Sequence, residues 1–380
     1  MKVAMVTGSY PPQPCGVGDY THALVQQLKS SGLQVDVITT HSEVRRNCPD
    51  IRYELVDWKV NHWRKAADWI ASQKYDIIHV QYPAKFYGHI PDLALLTSVL
   101  RRHVGGIPIV VTLHEFRVTH FLRKMTSGTI AQSADAVVMT AESERRPFGR
   151  LFWWMKDKLE TIPLAIVIPT LEITREEKQT LRLKNGFGEQ EILVAYFGFL
   201  HPNKGIEALL ESFALVHREK SPARLVMLSL FEPEKQTYHA KVRNLVRALA
   251  IESAVSWVGF LPPDEVSRML TIADIGLLPF DDGVSFRRLS FMTMLSHGVP
   301  TVTTVADVSL DELGLVEGES VIAVPVHSTP QQIAASVMRI IDSPRLRETL
   351  SNGGREWARP YQWDKVTEQT LDLYQALIAR

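Results

Sequence analysis

At 380 residues the chain exceeds the roughly 100–200 typical of one domain, and 45% hydrophobic content supplies an ordinary interior without staples, so two separate cores are expected. Its 42 basic and 42 acidic residues cancel, with a pI near 7.2, which removes any whole-molecule field favouring nucleic acid or an anionic membrane. Two cysteines, Cys15 and Cys48, are too few for a disulfide framework, lack the spacing of a zinc site, and fit a reducing compartment.

The opening MKVAMVTGSYPP has one lysine and a short apolar run, far short of a secretory core, and no run of about 18 apolar residues follows. A cytoplasmic protein that does not span a membrane is expected. Short β-branched runs then alternate with helical periodicity. Strands are expected at Val3–Thr7, Val35–Thr39, Ile77–Gln81, Ile109–Leu113 and Ala136–Thr140 in the first half. In the second half they are expected at Leu193–Phe197, Arg224–Leu228, Ser256–Val258, Ile275–Leu278 and Thr301–Thr303. Parallel strands buried on both faces read as such continuous runs. Between strands, Val17–Ser30 places Val17, Tyr20, Leu24 and Leu28 on one helical face, and Ile206–His217 does the same with Ile206, Leu209, Leu210, Phe213 and Val216. The βαβ alternation occurs twice. The fold class expected is α/β, with two open sheets covered by helices and ligands bound beyond the carboxyl ends of the strands. A first domain at 1–165 and a second at 190–362 are separated by a charged linker at about 165–190, and a helix over 363–378 follows the breaker Pro360.

Three loops after strands carry chemistry. The first, Ser9–Asp19, reads SYPPQPCGVGD; Gly16 and Gly18, flanking Val17, precede a helix whose free N–H groups and positive end suit an anion. A plain turn explains the same letters, and as a dinucleotide fingerprint they are incomplete, because Thr21 stands where the third glycine belongs. In TLHEF, His114 and Glu115 stand at the carboxyl end of a strand, where an imidazole can donate to sugar hydroxyls or phosphate; a histidine satisfied by loop backbone is the alternative. His79, in IIHVQY, reads as structural. In FGFLHPNKG, Lys204 precedes Gly205 at a helix start, where a lysine can join backbone amides around a phosphate, although an isolated lysine is usually solvated.

With WVGF at 257–260, ADIGLLPF at 273–280 and HGVPTVT at 297–303, these segments stand in the order and at the separations of the retaining glycosyltransferases of family 4. The chain resembles that family over essentially its whole length, through PPQPCGVGDYTHAL, TLHEF and the closing YQWDKVTEQTLDLYQAL as well. The resemblance implies the GT-B fold: two Rossmann-like domains facing an interdomain cleft, the donor nucleotide held mainly by the second domain, and the last helix, about 363–380, crossing back to the first. It also implies transfer of a sugar from a nucleoside diphosphate sugar to a hydroxyl acceptor with retention of configuration; no acidic cluster in the sequence suggests a bound metal, so no metal or other cofactor is expected. The competing reading is a catalytically weak or inactive nucleotide-sugar-binding or scaffold protein of the same fold.

The chain departs from the family in two places. Phe199, between Gly198 and Leu200, stands where the family commonly has an arginine, so one phosphate contact is absent while Lys204 is kept. The family's two glutamates before the Gly-x-Pro turn fall on Ser285 and Thr293, neither of which can act as a carboxylate. The segment Phe280–Thr304 therefore reads as a rearranged donor site in which Arg287 or Arg288 supplies the lost charge through bidentate phosphate contacts. Ser285 and the amides after it would meet phosphate, and Thr293 would make a lesser ribose contact. The donor set is Gly16, Val17, Gly18, Phe199, Lys204, Gly283, Val284, Ser285, Phe286, Arg287, Arg288 and Thr293, with His114, Lys204 and Arg287 as catalytic residues. A site that binds without turnover and a merely solvated arginine pair are the alternatives.

Tyr10, Asp19, Tyr20, Gln81, Tyr82, Glu115 and His120 lie on or near first-domain loops and form the acceptor side, for a saccharide, a lipid-linked sugar or a small molecule. The stretch RRPFGRLFWWMKDK, Arg145–Lys158, mixes basic residues with Phe148, Phe152, Trp153 and Trp154. A helix with its tryptophans packed inward is the plainer reading; peripheral contact with the inner face of a membrane is the other.

Overall fold

The computed structural model describes residues 1–380 apart from 14, 44–47, 84–86, 88–90, 118, 172, 287 and 307–309. The chain divides into two compact units, Met1–Ala165 with Tyr361–Arg380, and Ile166–Pro360.

In the first unit, strands β1 (Lys2–Thr7), β2 (Gln34–Thr40), β3 (Ile51–Leu55), β4 (Ile77–Tyr82), β5 (Ile109–Leu113), β6 (Ala136–Met139) and β7 (Leu159–Thr161) form a 7-stranded parallel sheet. Their order is β3-β2-β1-β4-β5-β6-β7. Helices α1 (Gly16–Ser30), α2 (Val60–Ser72), α3 (Leu96–Val104), α4 (Phe121–Gln132) and α5 (Glu142–Leu151) run between the strands. Alternation along each strand divides the core. Val3 and Met5 join Leu24, Val25 and Leu28 of α1 on one face, while Ala4 and Val6 join Ile70, Leu100 and Ile130 on the other.

The second unit contains α6 (Arg175–Lys184), β8 (Ile192–Phe197), α7 (Ile206–Glu219), β9 (Ala223–Leu228), α8 (Thr237–Ala248), β10 (Val255–Trp257), α9 (Pro263–Ile272), β11 (Ile275–Leu278), α10 (Leu289–Ser296), β12 (Thr301–Val305), β13 (Ile322–Pro325), α11 (Pro330–Ile341) and α12 (Pro344–Ala358). Its 6-stranded sheet is parallel throughout, in the order β10-β9-β8-β11-β12-β13. Helix α13 (Trp363–Ile378) belongs to the first unit, where Val366, Tyr374 and Leu377 join the α1 face of the core.

Both sheets are doubly wound, so the α/β class and the Rossmann-like pair expected from the sequence are what the structure has. In each, the strand order reverses once: between β1 and β4 in the first sheet and between β8 and β11 in the second. Parallel sheets open a crevice at the carboxyl ends of the strands flanking such a switch. The loops after β1 and β4, and after β8 and β11, are therefore the places to look.

Two sequence expectations change. The structure adds β3, β7 and β13, all at sheet edges. The segment at 165–190 is not an extended linker, because it contains α6 and the second unit begins at Ile166. Helix α6 opens with a Thr174–Glu177 capping box, and its one buried residue is Arg182, whose guanidinium lies 3.1 Å from Asp274. A helix anchored by an ion pair has no apolar stripe to betray it.

Candidate functional site

In the first unit the loop after β5 begins with buried His114, beside Gln81 at the end of β4. His114 Nε2 lies 2.7 Å from Gln81 Oε1, and Gln81 Nε2 lies 3.1 Å from His79 Nε2. His79 Nε2 also lies 2.7 Å from Thr112 Oγ1, and its Nδ1 lies 2.5 Å from the Tyr374 hydroxyl on α13. An amide nitrogen only donates and an amide oxygen only accepts. The chain of contacts therefore assigns the proton to Nε2 of His114 and to Nδ1 of His79, leaving His114 Nδ1 as an acceptor. Burial favours the neutral forms: it pushes His79 down to about 3, with the charge of His114 adding, and His114 to about 4.

The main chain of this loop is fixed from two sides. His114 N–H donates to Tyr82 O at 2.8 Å. Glu144, a buried carboxylate on α5 that nothing in the sequence singled out, accepts from the N–H groups of Phe116 at 2.8 Å and Arg117 at 2.7 Å. Tyr20 meets His114 edge-on, with ring centroids 5.5 Å apart, and stacks on Trp363 at 5.4 Å.

Of the acceptor-side residues, Tyr20, Gln81 and Tyr82 are buried in the neighbourhood of His114, Glu115 is half-buried, and Asp19 and His120 are exposed. Tyr10 stands apart. It is buried, and its hydroxyl donates to Asp50 Oδ2 at 2.9 Å; Gln26 and Lys29 also reach that carboxylate. Of the glycine pair, Gly16 opens α1 with free space where a Cβ would stand, and Val17 is half-buried. Gly18 is buried, and a Cβ there would lie 3.0 Å from Ser9 O. Its smallness is thus already explained by the packing of α1 on the preceding loop.

In the second unit the loop after β8 exposes Phe199, whose carbonyl accepts from the Tyr196 hydroxyl at 2.9 Å. Lys204 ends a short 3-10 turn, and Gly205 follows at φ +66° as the N-cap of α7. A Cβ on Gly205 would lie 1.7 Å from Pro279 O, so the start of α7 abuts the end of β11. This places Lys204 Nζ 5.5 Å from the Phe280 ring centroid, with the Arg288 guanidinium 4.5 Å from the same centroid. Arg288 is buried and ion-paired with Asp282, which overturns the solvated-face reading for this arginine. Arg287 lies outside the described residues.

The rest of the donor segment is held mostly by backbone. Val284 N–H donates to Thr304 O at 2.8 Å, and Arg288 N–H donates to Ser285 O at 2.9 Å. Gly283 has φ +78°, with Ala306 N 2.7 Å from where a Cβ would be. Ser285 and Phe286 are half-buried, the latter parallel to Trp357 with centroids 6.2 Å apart. Thr293 is buried inside α10 and its carbonyl accepts from Ser296 Oγ and His297 Nδ1. Sequence reasoning missed Ser290, in the first turn of α10, whose Cβ lies 3.8 Å from the Cβ position at Gly198. It also missed Asp281, whose carboxyl burial raises, with Glu207 and Asp282 adding. Among the described residues no group of three or more His, Cys, Asp or Glu side chains is arranged to hold a metal ion.

The aromatic stretch at 145–158 divides. Phe148 and Phe152 are buried, and both rings pack against Phe116. Trp153 and Trp154 are 68% and 53% exposed, so the inward packing expected for the tryptophans does not hold. Lys158 has turned inward instead, donating to the carbonyls of Ala131, Gln132 and Ala134, and α4 closes that side. No helix among the described residues is long and apolar enough to cross a membrane.

The first unit matches the glycosyl transferase 4-like domain over residues 15–165, and the second matches glycosyl transferases group 1 over 177–357. An uncharacterized glycosyltransferase of Methanocaldococcus jannaschii is 23% identical over 98% of each chain. A D-inositol 3-phosphate glycosyltransferase of Acidothermus cellulolyticus is 23% identical over 80% of this chain and 68% of its own. Sucrose-phosphate synthase of Thermosynechococcus elongatus has the same fold, with a TM-score of 0.73 at 18% identity over 100% of this chain and 99% of its own. So does HepE of Anabaena in complex with UDP and glucose, with a TM-score of 0.71 at 14% identity over 99% and 100%. With both domain families matched in order, on two parallel sheets wound about their own switch points, the chain belongs to the glycosyltransferases of GT-B fold.

Proposed function

We propose that the chain transfers a glycosyl group from a nucleoside diphosphate sugar to a hydroxyl acceptor with retention of configuration, in the cytoplasm and without a metal. The observation that carries this reading is the convergence of Lys204 and Arg288 on Phe280, beside the start of α10 and at the carboxyl ends of β8 and β11. Two cations and a helix N-terminus at a switch point suit a departing diphosphate. The UDP held by HepE supports the donor class, and the activity named for the Acidothermus relative supports glycosyl transfer.

In the proposed step the bond from the sugar's anomeric carbon to the diphosphate oxygen breaks. The acceptor oxygen bonds to that carbon from the same face, and its proton passes to the leaving phosphate oxygen. Lys204 and Arg288, with Arg287, hold the diphosphate charge, Ser285 and Thr293 add hydroxyl contacts, and the amides at Gly16 and Gly18 approach the phosphates. His114, neutral and protonated on Nε2, offers Nδ1 to a sugar hydroxyl. Tyr20, Gln81, Tyr82, Glu115, Asp19 and His120 form the acceptor side, where a saccharide, lipid-linked sugar or small molecule binds. Trp153 and Trp154, near the exposed Arg150 and Lys156, rest on an anionic membrane surface.

A weakly catalytic donor-binding protein is the second reading, favoured by the pairing of Arg288 with Asp282 and by Ser285 and Thr293 in place of carboxylates. Screening UDP-, GDP-, ADP- and TDP-sugars by thermal shift and by nucleotide release, with broad acceptor mixtures and EDTA present, separates the two. Turnover that falls about 100-fold in Lys204→Ala supports the enzyme. Donor-dependent stabilisation with no nucleotide diphosphate released supports the binder, and indifference to Lys204→Ala removes the phosphate assignment. Flotation with phosphatidylglycerol vesicles at low salt tests the membrane contact, and a Trp153→Ala, Trp154→Ala variant that floats equally well argues against it.

A further inference from the structure

The second unit carries another cluster of cations, away from the loops just described. A cavity of about 420 Å³ opens at the amino ends of β11 and β12, bordered by the start of α6, the end of α9, the His297–Pro300 turn and one face of α12. Arg175, Lys178, Arg347 and Arg355 all line it. Arg347, Ser351 and Arg355 stand at successive i,i+4 positions of α12 and so share a face.

The hydrogen bonds of these cations go to neutral groups. Arg355 donates to Ser351 Oγ at 2.9 Å and to His297 O at 3.2 Å, and Arg347 donates to Ile341 O at 2.9 Å; these partners are neutral. Among the described residues none of the four cations forms an ion pair with a carboxylate. The lining carboxylates are Asp274 and Glu348. Asp274 is committed to Arg182 at 3.1 Å and to Leu193 N–H at 2.8 Å, and Glu348 is exposed. Nearby Glu177 accepts from the N–H of Thr174 in the α6 capping box. Burial lowers the Lys178 pKa; Asp274 opposes this, while Arg182 and Arg355 add to it. Arg175 and Arg355 are exposed and Lys178 and Arg347 half-buried, so gathering like charge here costs most at the two half-buried cations, and an anion in the concavity relieves it.

We propose that this cavity binds a phosphorylated small molecule, of the size of a sugar phosphate or a mononucleotide, at a site separate from the donor loops. Its volume falls within the roughly 300–1,000 Å³ of small-molecule sites. Guanidinium forks suit phosphate oxygens, and Thr174, Thr271 and Ser351 supply hydroxyls for a sugar. One donor loop leaves the carboxyl end of β11, whose amino end borders the cavity, and α10 runs between the two places, from Arg288 to His297.

Isothermal titration of the full chain with glucose 6-phosphate and with uridine 5′-monophosphate tests the proposal. It uses Lys204→Ala protein, so that the donor loops are weakened, and thermal unfolding checks the fold of every variant. Saturable binding of either probe is expected, weakened at least tenfold in Lys178→Gln and in Arg355→Gln introduced on that background. The better probe tells a sugar phosphate from a nucleotide. Should Arg355→Gln fail to fold because α10 loses its contact at His297, Lys178→Gln suffices, since among the described residues the Lys178 side chain makes no hydrogen bond or ion pair and the backbone bond to Thr174 O is kept. No saturable binding of either probe, or equal affinity after Lys178→Gln, overturns the proposal.

Discussion

A buried histidine is informative when its partners leave it only one tautomer. His114 and His79 are linked through Gln81, whose amide can face only one way if its oxygen accepts from His114 and its nitrogen donates to His79. Both imidazoles bind a proton more weakly in the fold than free, at about 4 and about 3 against 6.5. The unfolded chain therefore takes up more protons below the free value. Stability conferred by the neutral pair is complete above pH 6.5 and is lost as pH falls through about 4 and about 3. Urea midpoints measured at pH 7.5 and 4.5 should show this loss, and it should shrink in a His79→Gln, His114→Gln variant. Equal losses in both proteins would place the acid sensitivity elsewhere. The sequence identified His114 as a residue at a strand end, but the hydrogen bond to Gln81 joins side chains 33 positions apart. Glu144 was invisible for the same reason: its two backbone donors come from another loop. Arg288 reads differently once folded, because its neighbour Asp282 already holds part of its charge.

Elements divide by where they lie in their sheets. Interior strands such as β1, β4 and β5 announce themselves as continuous apolar runs because both faces are covered. The three strands that escaped, β3, β7 and β13, are edges; β3 reads IRYEL, with an exposed residue at every second place. Glycine at an element junction gives a sharper test. Gly186 and Gly205 both have positive φ, +78° and +66°, but a Cβ on Gly186 meets nothing within 4 Å whereas one on Gly205 meets Pro279 O at 1.7 Å. Gly186→Ala should cost about 1–2 kcal/mol, the conformational term alone. Gly205→Ala must also separate α7 from β11, so its loss of stability in denaturant should be clearly larger and should carry Lys204 with it. Equal losses for the two would mean that the α7 junction gives way freely.

For the molecule as a whole, the last helix decides whether the first unit is complete. Val366, Tyr374 and Leu377 are buried in its core, and Tyr374 reaches His79. Burying one such side chain is worth about 1.5–3 kcal/mol, so three together approach the roughly 5–15 kcal/mol that holds a typical domain. A chain ending at Pro360 should therefore lose the first unit's transition in calorimetry and keep the second's; an unchanged thermogram would refute the dependence. Periodicity alone located this helix, because its apolar positions recur every three or four residues. Which surface it joins was legible only through the family resemblance.

That return of the chain reverses the order of birth. Residues of the first sheet leave the ribosome first, yet α13 follows Ala165 by about 200 residues, on the order of 10–40 s of translation at about 5–20 residues per second. Until then the strand face bearing Val3, Met5, Val35 and Ile77 lacks part of its cover and His79 lacks its phenol. The half synthesised second is complete before the first, whose α1 face stays partly uncovered until α13 emerges.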